Sequence, residues 1–197
     1  PIPNGSMPCC NRMTSLPMRP TRPEAPGEPL TMLSHTRVLF ALWGSGLTAL
    51  ALLLGLGVFL APLQPNIVAL QLSFSPSAFG AIVHAWGDTG LARYRAHLPW
   101  DYLLLLNYGL FGWLLGARTA VFAPYPMRAR RVAAWLMPLA SAFDAMENAL
   151  HGWLTEAPRF GLELVYAASG TVSLLKWLLL MAFAMALAHA LWLHQDR

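Results

Sequence analysis

This 197-residue chain is poor in three things, and each absence narrows what it can be. It has only two cysteines, Cys9 and Cys10, and they are neighbours in the chain. Adjacent cysteines are poor disulfide partners, so no disulfide framework, thiol metal site or redox compartment can be read from them. Acylation of the pair is the one role left to them. Charge is scarce: 11% of residues are Asp, Glu, Lys or Arg, against about 25% in soluble domains. There is no basic patch interleaved with aromatics of the kind that single-strand nucleic-acid binders use, so no nucleic-acid partner is expected. Also missing are the HExxH, HxxxE and Ser-His-Asp signatures that would point to an enzyme, and any inverted repeat, without which four spans are small for a transporter. Glu147 and His151 have no two further ligands beside them, so neither a metal site nor a cofactor is expected.

What remains is apolar. Hydrophobic residues make up 56% of the chain and the mean hydropathy is +0.48, the balance of an integral membrane protein. Residues 1–31 hold eight of the sixteen prolines and should form a disordered tail. The chain begins with Pro1, and Met32 is the expected natural start. Residues 32–197 read as one all-α membrane domain, a four-helix bundle with spans at about 38–60, 100–122, 132–154 and 170–193. The first is too long for the core of a cleaved signal peptide and reads as a retained span. Its glycines, Gly44, Gly46, Gly55 and Gly57, either permit close helix approach or are merely tolerated.

Between spans 1 and 2, Leu70, Leu72 and Phe74 alternate with polar residues, which predicts a short extended or interfacial piece. Ser75-Pro76 reads as an N-cap and first helical residue. Phe79, Ile82, Val83 and Trp86, then Leu91, Tyr94 and Leu98, form an apolar stripe interrupted at 87–90. It predicts a broken amphipathic helix on the membrane surface, with a lid over the bundle as the alternative. Pro138 predicts a kink in span 3. The histidines outside span 3, His97 among them, read as interfacial.

Four spans put both termini and the 123–131 loop on one side. That side carries nine of the twelve arginines. The bias places both termini in the cytoplasm of a multi-pass protein, in a bacterial inner membrane. Span 3 carries Asp144, Glu147, Asn148 and His151 at i, i+3, i+4 and i+7, a single helical face. Ionisable groups at membrane depth face a protein interior or a wet cavity. Counting about 1.5 Å per residue from the outer span ends, Glu147, Lys176 of span 4 and Asn107 of span 2 fall at one level, with Asp101 nearer the surface.

Three functions fit this cluster. In the first it is a structural network that fixes helix register, Lys176 pairing with Glu147 or Asp144. In the second, Asp144 and Glu147 are a catalytic acid–base pair, with Asp101, Asn107, Asn148, His151 and Lys176 as binding residues for an apolar, lipid-like small molecule. In the third, an oligomer of the chain moves protons or solutes. The expected partners are thus the lipid bilayer, an apolar small molecule and further copies of the chain.

The pattern Gly90-x-x-x-Tyr94, Asp101, Asp144-x-x-Glu147-Asn148 and Lys176-Trp177, over residues 78–178, resembles a group of uncharacterised bacterial four-span membrane proteins. That resemblance implies the four-helix architecture and brings no activity with it. A weaker likeness is to the EXPERA group, which includes sterol isomerases and sterol-binding receptors. It implies an apolar small-molecule ligand, and no catalytic role is transferred with it.

Overall fold

A computed structural model describes residues 29–157, 159 and 161–195. The expected disordered tail, with Cys9 and Cys10, lies outside the described residues except for 29–31, which are helical. The described residues form five helices and no strand: α1 (Pro29–Leu60), α2 (Ile67–Gln71), α3 (Pro76–Arg118), α4 (Met127–Leu154) and α5 (Glu163–Gln195). The chain is all-α, as its patterning predicts. Two stretches, Thr36–Leu60 and Glu163–Gln195, are long and apolar enough to cross a membrane.

The four long helices form a curved row. α1 packs on α3, α3 on α4 and α4 on α5, while α1 and α5, at the ends of the row, share at most a marginal contact among the described residues. Three α3 glycines set the α3–α4 spacing. A Cβ at Gly116 would sit 2.6 Å from the Cα of Ala134, and one at Gly109 would lie 3.0 Å from the Ser141 Cβ. Gly112 would run into the Met137 side chain. Such contacts allow backbones to approach closely. In α1, by contrast, only Gly46 is packed, against Phe111; Gly44, Gly55 and Gly57 face open space.

Of the short extended or interfacial piece expected over 70–74, Leu70 and Gln71 are instead the end of the short helix α2. Asn66 caps α2 by accepting a hydrogen bond from the Ala69 amide at 3.1 Å. The resulting turn puts Ile67 and Leu70, three residues apart, against one core. Ser75 caps α3, accepting from the Ala78 amide at 3.2 Å, with Pro76 in the first turn. Within α3 the helical path breaks at Gly87 (φ 61°, ψ −174°), a conformation open essentially to glycine alone.

Beyond that break the helix is not a separate element. It runs through Pro99 as one rod to Arg118. Phe79 and Trp86 before the break and Tyr94 after it are buried against Leu60, Leu63, Leu70, Leu154 and Tyr166. A second apolar cluster, Phe122, Ala133, Phe183 and Ala190, closes the opposite end. The buried polar residues of α4 and α5 lie between these two clusters.

Candidate functional site

The α4 face predicted from spacing is buried as a unit: Asp144, Glu147, Asn148 and His151 are all inside. Lys176 of α5 meets it. Its Nζ is 3.0 Å from Asp144 Oδ1, as a directed hydrogen bond, and 2.7 Å from Glu147 Oε2. Glu147 is 0% exposed, and Lys176 is the charged group that meets its Oε2. Its charge is balanced coulombically by Lys176, with the His151 Nδ1 3.8 Å from its other oxygen. The same His151 nitrogen is hydrogen-bonded to the Tyr94 hydroxyl at 2.8 Å.

The α3 side supplies two more links. Asn148 Nδ2 donates to Asp101 Oδ2 at 2.7 Å. Tyr108 donates its hydroxyl proton to Asp144 Oδ2 at 2.9 Å. Asp144 therefore holds an ammonium on one oxygen and a phenol on the other. A further tie, from Ser141 Oγ to the Leu105 carbonyl at 2.8 Å, fixes α4 against α3 one turn away.

Asn107 is the exception among the predicted residues. It donates to the Leu103 carbonyl of its own helix at 2.8 Å and contributes nothing to the cluster. The reason is azimuth: residues 107 and 108 differ by about 100° around a helix, and it is Tyr108 that faces α4. His97 is also corrected. It is 2% exposed, not interfacial, and its Nδ1 donates to the Tyr94 carbonyl, which leaves Nε2 as an acceptor. Burial lowers the His97 pKa from the usual histidine value, against the opposing pull of that backbone hydrogen bond. His97, Asp101 and Tyr108 fall within about 40° of one another on α3, so helical phase alone could have found both His97 and Tyr108.

The polar groups border a cavity of about 500 Å³. One wall is α1, with Leu50, Leu53, Leu56 and Gly57; the other is α5, with Trp177 and Leu180. His97, Asp101, Tyr108, Asp144 and Lys176 line its polar end. α2 closes over it through Gln71, whose Oε1 accepts from the Trp177 indole at 3.2 Å. Glu147 and His151 stand behind this lining. The volume lies within the usual range for small-molecule sites, and so does the pairing of apolar walls with a few convergent polar groups. Among the described residues no three His, Cys, Asp or Glu side chains gather as metal ligands.

No protein-family model, curated protein or solved structure matches the chain.

Proposed function

We propose that this is a four-span membrane protein that binds a lipid-like amphiphile in the cavity between α1 and α5. The spans are α1, the second half of α3, α4 and α5. Support for counting α4 comes from its outward face. Val132, Trp135, Leu139, Ala142, Met146, Ala149 and Trp153 are its exposed residues from 132 to 154, at alternating steps of three and four. From Val132 to Trp153 this stripe is about 31 Å long, close to the roughly 30 Å of a bilayer's hydrocarbon. The acids that lower the helix's mean hydropathy all point inward. The exposed part of α3 from Pro99 to Ala117 likewise carries no charged side chain. The arginine bias places both termini in the cytoplasm, and an inner membrane suits that arrangement.

The observation that carries the binding function is the cavity itself. A network that only fixed helix register would be served by close packing, whereas here the Asp144–Lys176 pair borders about 500 Å³ of largely apolar space. A second reading, acid–base catalysis on the bound molecule, is favoured by Asp144. It lines the cavity between two proton-bearing groups, Tyr108 and Lys176. In that reading Asp144 exchanges a proton with the occupant, and Glu147 holds Lys176 in place from behind.

Gly57 offers a clean test, because it lines the cavity and a Cβ there meets nothing within 4 Å. Phenylalanine at this position can fill the space without moving backbone. Native mass spectrometry of gently extracted protein should show a bound amphiphile, and Gly57→Phe should lose it while keeping the wild-type melting temperature. An empty wild-type protein, or a folded variant that keeps its ligand, would count against the cavity as the site.

A further inference from the structure

The cavity's polar end is unbalanced in two independent ways, and together they specify the headgroup of its occupant. The inference rests on reading the cavity as an amphiphile site. The first imbalance is charge. Three carboxyl groups, Asp101, Asp144 and Glu147, share one ammonium, Lys176, and that ammonium is engaged by Asp144 and Glu147. Asp101 has no cation within ion-pair distance among the described residues. Its one hydrogen bond there is the amide donated by Asn148 to Oδ2.

The second imbalance is in donors and acceptors. The groups lining this end are fixed so that they mostly accept. Asn148 and Tyr108 each donate to a carboxyl oxygen, an arrangement that holds Asp101 and Asp144 as acceptors. Asp101 Oδ1 has no hydrogen bond among the described residues. His97, one turn before Asp101 on the same face of α3, spends its N–H on the Tyr94 carbonyl and keeps the Nε2 lone pair. The amide of Gln71 is the one neutral donor group on this wall beyond those already engaged. A headgroup that complements such a lining carries positive charge and several N–H donors, and accepts nothing.

We propose that the cavity takes a long-chain primary amine, with its ammonium toward Asp101 Oδ1 and His97 and its chain along Leu50, Leu53 and Leu56 of α1. An ammonium offers three donors and no acceptor, and its bond to a carboxylate is charge-assisted. The same ammonium occurs on ethanolamine phospholipids. A phosphate, however, would meet the two lining acids, Asp101 and Asp144, with Glu147 behind them and no arginine among the described lining residues, and like-charge juxtaposition disfavours it. The amine free of phosphate is therefore the occupant.

The test uses the full chain in a nonionic sugar detergent with three probes of equal chain length, dodecylamine, dodecanol and dodecanoic acid. Binding is read from the shift in melting temperature against probe concentration. Dodecylamine should bind at least about tenfold more tightly than dodecanol, with dodecanoic acid weakest. Asp101→Asn should erase most of the amine's advantage while leaving dodecanol binding unchanged. The wild-type ranking decides the matter even if that variant folds poorly. Equal or tighter binding of dodecanol or dodecanoic acid would overturn the amine assignment and leave the amphiphile site standing. Displacement of dodecylamine by an ethanolamine phospholipid at equal mole fraction would also overturn it, in favour of the phospholipid. If no probe stabilises the protein, or if Gly57→Phe binds all three as wild type does, the site itself falls with the proposal.

Discussion

Lys176 is the residue on which the buried charges depend. Removing it leaves Asp144 and Glu147 facing each other inside the protein, whereas removing Glu147 still leaves a Lys176–Asp144 pair. Stripping one partner from a buried ion pair costs about 3–5 kcal/mol, mostly as the penalty of the charge left behind. Lys176→Met should therefore fall in that range, and Glu147→Gln should cost less. The double variant should recover part of the summed loss, because each change removes what the other leaves unpaired. Unfolding of all four proteins in one detergent measures this; strictly additive losses would rule out direct coupling. The acids of α4 and Lys176 were legible in the sequence because spacing along one helix fixes both face and height. Asn107 was misplaced because matching depth says nothing about azimuth, and Tyr108, its neighbour, holds the position instead.

At the scale of the helices, the α3–α4 seam is the tightest contact. Gly116 faces the Ala134 backbone and Gly112 the Met137 side chain, so a larger side chain there must part the helices. Gly116→Leu should destabilise the protein by about 1–3 kcal/mol, the usual cost of overpacking, and should also disturb the Tyr108–Asp144 bond two turns along the same seam. Gly55→Ala should do the reverse. A Cβ at Gly55 meets nothing within 4 Å, and alanine gains roughly 1 kcal/mol in helix propensity. Melting temperatures of the two variants, measured side by side, check the contrast. The sequence shows glycines in both helices alike. Which of them touch a neighbour is a tertiary fact, and so is the continuation of α3 through Pro99, which local signals mark as a boundary. The Gly87 break, the Ser75 cap and the buried face of α4 were readable because each has a purely local cause.

For the whole molecule, the proposed four-span arrangement makes a directional prediction. Ala123 lies in the α3–α4 connection and Ala157 in the α4–α5 connection, and both are exposed. With Cys9 and Cys10 replaced by serine, a membrane-impermeant maleimide applied to spheroplasts should label Ala157→Cys and spare Ala123→Cys. Labelling of both would mean that only α1 and α5 cross. The reverse pattern would invert the orientation. By length and hydropathy α1 and α5 are the candidates to cross; α3 and α4, the other two spans proposed, carry polar residues on their buried faces that lower their mean hydropathy. In the proposed four-span arrangement, the thin contact along the seam between α1 and α5 has a further consequence. A hydrophobic compound reaching the cavity through that seam travels sideways within the leaflet. Its occupancy then follows its mole fraction in the lipid rather than its solubility in water, so even a modest intrinsic affinity can keep the site filled with a molecule scarcely detectable in the aqueous phase.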